Sequence, residues 1–266
     1  MRRRHKTKAA ALATITTAAL LALTLASCAT PPSDPEARAD FERTNDPFEP
    51  TNRAIFQVNL VVDKWLFEPL AEGYRDVVPE FGQVTIRSFL SWLRDPTVFG
   101  NSLLQGDLTR AGHTAARFAI NTLVGPIGLR DMAKQAGYPH ENGDFGQTLH
   151  VWGFPEGPYL VLPILGPSNV RDAIGLGVDS IGDPVRYAAI SHSGKVTWGR
   201  FGLEGVDERA QNIETFDDLK RNAVDFYAQL RSIVRQHRAA ELREPAPASV
   251  NAPADLYTDP TAQRPK

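Results

Sequence analysis

The only cysteine in this 266-residue chain, Cys28, closes the run Leu25-Ala26-Ser27-Cys28. An aliphatic residue, two small residues and a cysteine are the substrate of bacterial lipoprotein processing. A diacylglyceryl group is placed on the thiol, and a peptidase that needs small residues before its cut removes everything up to Ser27. The preceding residues suit that chemistry: Arg2, Arg3, Arg4, Lys6 and Lys8 form a cationic segment, and Ala9 to Leu25 is apolar. A transmembrane anchor, or a free cysteine beside an ordinary cleavage site, is the competing reading. A 17-residue apolar run is short against the roughly 20 residues of a bilayer span. One cysteine also excludes a disulfide within the chain, although an exported compartment permits them.

Other chemistry is thin. His140, Glu141, Asp144 and His150 supply nitrogen and oxygen donors that could gather a metal. The favoured reading of the same stretch is a polar loop with a turn at Asn142-Gly143. Ser191-His192-Ser193 has no identifiable acidic partner, and Gly175-Leu-Gly177 lacks the third glycine of a dinucleotide fingerprint. G-x-S-x-G, S-x-x-K, Walker A and H-E-x-x-H motifs are absent from the sequence. The expectation is a non-enzyme without metal or cofactor, a hydrolase using His140, His150 or Ser193 being the minor alternative.

These residues need a scaffold, and the charge and apolar pattern describe it. Without the five leader cations the chain keeps 24 Lys+Arg against 31 Asp+Glu, near −7, which disfavours nucleic acid as a partner. Residues 28–44 read as a lipidated flexible tether with Pro31, Pro32 and Pro35, and residues 243–266, with five prolines, as a disordered tail. Between them, residues 45–242 form one helical domain, because apolar positions recur at three and four. Phe216, Leu219, Ala223, Phe226, Leu230 and Ile233 predict one long helix, or two in line, over Asp207 to Leu242. A helix over Asn52 to Leu70 is apolar around most of its circumference, so it must be buried or touch lipid. Further helices are expected at Pro79 to Leu93, stopped by Asp95-Pro96, at Asp107 to Leu123, and from an N-cap at Ser168 towards Ile181. In the second of these, Ala111, Gly112, Ala115, Ala116 and Ala119 would admit a close neighbour. Gly125 to Pro167 is dense in glycine and proline yet strongly apolar, and is expected between helices or at a bilayer interface.

Five segments narrow the reading. Asn45-Asp-Pro-Phe-Glu-Pro-Thr-Asn-Arg53 resembles the NDPFE-x-x-NR opening of the MlaA (VacJ) family of outer-membrane lipoproteins. Asn101-Ser-Leu-Leu-Gln-Gly106, Arg117-Phe-Ala-Ile-Asn-Thr122, Asp144-Phe-Gly-Gln-Thr-Leu149 and Gly157-Pro-Tyr-Leu-Val-Leu-Pro-Ile-Leu-Gly-Pro-Ser168 follow in the family's order. Pro50, where the family often has glycine, and the run His150-Val-Trp-Gly-Phe-Pro are small departures.

The resemblance implies an all-α, ring-like arrangement of amphipathic and interfacial helices around a central channel, with a long C-terminal helix. It implies a protein that takes phospholipid mislocalised to the outer leaflet and passes it to a periplasmic lipid carrier, beside a trimeric porin. No cofactor is implied. Ala29 after the lipidated cysteine, rather than aspartate, fits sorting to the periplasmic leaflet of the outer membrane. Asn45, Asp46, Pro47, Phe48, Asn52 and Arg53 are expected to fix the N-terminal part of the ring. The channel or interfacial residues are expected among Asn101, Leu104, Gln105, Gly106, Arg117, Phe118, Asn121, Phe145, Gly146, Trp152, Tyr159, Leu160 and Leu162. The alternative is a structural envelope lipoprotein that links membrane components through its C-terminal helix.

Overall fold

The computed structural model describes residues 33–35, 38, 44–188 and 193–242. Cys28, the leader, most of the tether, Ser191, His192 and the tail after Leu242 lie outside the described residues. Helix α1 (Glu49–Val62) passes through a π-helical turn (Asp63–Phe67) into α2 (Glu68–Val77). Pro69 has no N–H for the Trp65 carbonyl, and the backbone widens by one residue just before it: the Glu68 N–H bonds back to the Asp63 carbonyl.

Helix α3 (Glu80–Leu104) corrects the expectation of a stop at Asp95-Pro96, for it runs 25 residues with Pro96 inside. An interior proline costs about 3 kcal/mol. Packing along α4 (Leu108–Leu123), the most extensive helix contact in the fold, holds the helix together there. The tight turn between them uses Gly106 at φ 75°, and Asp107 caps α4 by accepting from the Arg110 N–H.

Two short helices follow, α5 (Met132–Gln135) and α6 (Phe145–Val151), capped by Asp131 and Asp144. Strands β1 (Tyr159–Leu162) and β2 (Gly166–Asn169) then form an antiparallel hairpin pairing Tyr159 with Asn169. This hairpin is the one departure from an all-helical chain among the described residues. Helix α7 (Val170–Gly182) is capped by Asn169, one residue later than the expected Ser168, because the Asn169 carbonyl oxygen of the side chain takes the Asp172 N–H.

The remainder is α8 (Pro184–Ala188), α9 (Ser193–Gln211), α10 (Ile213–Asn222) and α11 (Phe226–Glu241). The helix expected over Asp207 to Leu242 is therefore broken twice. Ala223 turns extended (ψ 130°), and Asp225 caps a new start by accepting from the Ala228 N–H. The C-terminal helix is present, with 16 residues.

Glycine permits the closest crossing, between α6 and α7. A Cβ on Gly175 would lie 2.3 Å from the Gly146 nitrogen. Alanine is normally favoured over glycine in a helix by about 1 kcal/mol, yet Gly175→Ala is expected to destabilise by about 1–3 kcal/mol through overpacking. Gly177→Ala, two residues on in open space, should not. Thermal melts of the two variants decide it, and equal melting temperatures would refute the close contact.

Candidate functional site

Burial in this protein is inverted. Among the described residues, 15 buried side chains are polar or charged against 12 apolar ones. On α4 the inward stripe is Ala111, Thr114, Arg117 and Asn121, while Leu108 and Leu123 are 72% and 83% exposed. The small residues of α4 do not form the expected contact face: Ala111 is buried, but Gly112, Ala115 and Ala119 are exposed and Ala116 is half-buried. Along α1 and α2 the same inversion leaves Val58, Val61, Trp65, Leu66, Leu70 and Val77 exposed. A contiguous apolar exterior of this kind marks a surface that meets lipid or protein. No helix among the described residues is long and apolar enough to cross a membrane.

Most of the polar interior is paired, as burial requires, although single buried atoms of Asp63, Asp95, Arg110, Arg117, Glu141, Arg171 and Arg209 have no hydrogen-bond partner. Three asparagines seven residues apart connect the N-terminal motif to the outer edge of β1. Asn45, at φ 51°, donates to the Gly157 carbonyl, and its own carbonyl accepts from the Tyr159 N–H. The Asn52 amide donates to the Tyr159 carbonyl and accepts from the Val161 N–H, and the Asn59 amide does the same for Leu162 and Ile164. Between Asn52 and Asn59 seven helical residues rise about 10.5 Å, and from Tyr159 to Leu162 three strand residues rise about 10 Å, so these two amides keep register with the strand, while Asn45 meets it ahead of α1. The free edge of β1 is thereby covered.

Asp46, 1% exposed, is the hub of the motif. It accepts from Asn52 (2.8 Å), from the Tyr227 hydroxyl and from Arg231 (2.6 Å). Burial, with Asp46 beside it, pushes the Tyr227 phenol above its ordinary range. Pro47 and Phe48 are half-buried and lead into α1, and Arg53 pairs with Glu49 and Asp225. The Arg53 hydrogen bond holds the Asp225 carboxyl down at about 2. Arg235 reaches Glu156 and the Thr44 carbonyl. Arg238 lies between Asp144 and Asp172, both at 2.8–2.9 Å. The arginines of α11 thus fasten the opening motif, α6 and α7 to one helix.

The residues expected at a channel are divided by the fold. Arg117, 1% exposed, donates to the Tyr138 carbonyl and pairs with Asp131, and Asn121 holds Asp131 and the Ala133 N–H. Asn101 joins Thr148 and Asp179, with Gln105 donating to Thr148. Gly146, Tyr159 and Phe145 are likewise in the interior or half-buried, as are Leu160 and Leu162 on β1. Leu104, Gly106, Phe118 and Trp152 face outward; Phe118 stacks on Trp92 at 5.4 Å, and the Trp152 indole donates to the Leu104 carbonyl. A charge at Gly146 would strike Asp172, Asp144 and Arg238, so such a variant tests packing before it tests any lipid path.

The metal-donor residues take separate partners. Glu141 pairs with His113 and Arg110, His140 lies against Ser91, and Asp144 caps α6. His150 sits 3.4 Å from Arg171. Among the described residues no group of three or more His, Cys, Asp or Glu side chains is placed to hold a metal ion.

An open cavity of about 840 Å³ lies between α1–α2 and α9, lined almost wholly by apolar side chains. None of the residues expected at the channel lines it, but Val62, Leu66, Phe67, Pro69 and Leu70 belong to the helix expected to be buried or to touch lipid, and Ile164 to the Gly157 to Ser168 motif. Nor did the sequence point to the roles of Asn59, Arg231 and Arg238, although Arg231 stands in the tail that fits the family resemblance and the seven-residue recurrence of Asn45, Asn52 and Asn59 was visible.

The family model described as MlaA lipoprotein matches residues 44–241. An uncharacterized Rickettsia felis protein is 32% identical over 201 residues, 75% of this chain and 79% of its own length. The Escherichia coli (strain K12) intermembrane phospholipid transport system lipoprotein MlaA is 33% identical over 218 residues, 78% of this chain and 80% of its own. A chain solved in work on the structural basis for maintenance of bacterial outer membrane lipid asymmetry superposes with a TM-score of 0.66 at 32% identity, covering 74% of this chain and 98% of that one. This chain belongs to the MlaA lipoprotein family.

Proposed function

We propose that this protein is the outer-membrane lipoprotein of an intermembrane phospholipid transport system. It removes phospholipid misplaced in the outer leaflet and delivers it, through an amphipathic channel, to a periplasmic carrier. The observation that carries the reading is the inverted burial: a polar, largely hydrogen-bonded interior behind an apolar exterior, on helices none of which, among the described residues, spans a bilayer. Such helices rest in one leaflet with their apolar faces in the acyl region, and a ring of them offers a polar path to a headgroup. In this reading a trimeric porin sits beside the ring in the membrane, and Cys28 carries the acyl chains that deliver the protein to the periplasmic leaflet. The linker alternative relies on the C-terminal helix as a partner face, but Arg231, Arg235 and Arg238 of that helix are engaged within the molecule.

Deleting the gene in the source organism is expected to raise surface-exposed phospholipid and detergent sensitivity, restored by the intact chain and not by Cys28→Ser. An unchanged outer leaflet would refute the transport reading. A Cys28→Ser protein that reaches the outer membrane and restores asymmetry would refute the delivery role of the thiol.

A further inference from the structure

The cavity between α2 and α9 has features that side-chain packing alone leaves unexplained. Gly73 on α2 and Gly202 on α9 both line it, and a Cβ on either would touch nothing within 4 Å. Helical glycine costs about 1 kcal/mol relative to alanine, so these two positions give up stability and keep the space open. The π-helical turn borders the same cavity through Leu66 and Phe67, and such turns recur at functional sites. Ile164, a β-branched residue held at φ 68° by the Asn59 amide, lines it from the hairpin; left-handed backbone is strained for this residue type.

The chemistry of the walls selects the occupant. The Tyr74 hydroxyl, one of the few polar groups there, is turned away onto Asp207 at 3.0 Å, and burial with that carboxylate pushes the phenol up to about 12. The groove opens onto the exposed apolar belt, where Leu66, Leu70, Val77 and Trp198 are 49%, 50%, 81% and 72% exposed. From Val62 to Val77 it follows roughly 22 Å of helix, more than the ~15 Å hydrocarbon depth of one leaflet. Its volume lies within the roughly 300–1,000 Å³ of small-molecule sites. We propose that this groove holds an acyl chain of a diacyl phospholipid, admitted sideways from the membrane, while the headgroup takes the polar route. The inference rests on the transport reading and assigns the tail-binding wall to residues outside the sequence-derived channel set.

The test uses the full-length lipidated protein extracted in mild detergent. Native mass spectrometry is expected to show one bound phospholipid per chain, with roughly tenfold lower occupancy in Gly202→Trp and Gly73→Trp and none lost in Gly112→Trp, which points into open space on α4. Should the filled variants misfold, a benzophenone amino acid at Leu203, in the groove, is expected to capture phospholipid in cells, and one at the fully exposed Val224 is not. Wild-type occupancy in Gly202→Trp, or capture at Leu203 of a peptide or of the protein's own Cys28 acyl chain, would overturn the assignment. The two readings fail differently. A Gly202→Trp protein that fully restores outer-leaflet composition sinks the groove alone, whereas an intact chain that restores nothing sinks the transport reading.

Discussion

Asp46→Ala is expected to lower the unfolding free energy by about 3–5 kcal/mol, the usual loss when one partner of a buried ion pair is removed. Arg231, 9% exposed, would keep only the longer contact with Glu49 at 3.4 Å, and the Tyr227 hydroxyl and Asn52 amide would each lose an acceptor. Denaturation followed by circular dichroism in mild detergent measures the change. Asp218→Ala, which breaks the surface pair with Arg221 at 63% and 67% side-chain exposure, should cost at most about 1 kcal/mol. Replacing Arg231 by methionine in the Asp46→Ala background should recover part of the loss, since the uncompensated charge goes with it. Equal effects of Asp46→Ala and Asp218→Ala would show that the motif carries no special share of stability.

The second large effect depends on pH. Asp95 is 1% exposed, and burial raises its carboxyl to about 7; Arg117, 3.9 Å away, opposes the shift and Asp131 adds to it. One carboxylate oxygen has no hydrogen-bond partner. The unfolded group titrates near 4. Between about pH 4 and 7 the folded state therefore binds the extra proton, and its stability falls as pH rises through that window. Asp95→Asn keeps the shape, removes the titration, and is expected to gain a few kcal/mol over wild type at pH 8 and little at pH 4. Melting curves across that range test the sign. A wild-type protein whose Asp95-dependent stability grew with pH would contradict the burial argument.

Local sequence was informative where local chemistry decides. Asp107 announces its helix because a carboxylate before an amide-rich first turn is a cap wherever the chain goes, whereas Asp144, read as part of a polar loop, caps the short helix α6 that was not expected. The N-terminal motif could be recognised as a unit, but not its function as a clamp, since Asp46 meets Arg231 across 185 residues. Apolar periodicity misled in an instructive way. It correctly marks an apolar side on each helix, yet the rule that this side faces the core fails when the surroundings are lipid. Gly112 and Ala115 were thus read as contact residues while the contact is made by Thr114, Arg117 and Asn121. Pro96 stopped the helix on paper because propensity knows nothing of α4, whose packing outweighs the proline. The groove was illegible for a related reason: Gly73 and Gly202 are 129 positions apart, and an empty space has no letter in a sequence.

The buried charge pairs also set how this protein should respond to heat. Unfolding a water-soluble domain exposes apolar area and raises heat capacity by about 12–15 cal/mol/K per residue, with polar exposure contributing in the opposite direction. Here Leu108, Leu123, Trp65 and Val77 are already outside, and Asp46, Arg117 and Arg231 are what unfolding releases. In calorimetry the heat-capacity step per residue should accordingly be small and the stability curve shallow. The protein would then lose little stability on cooling.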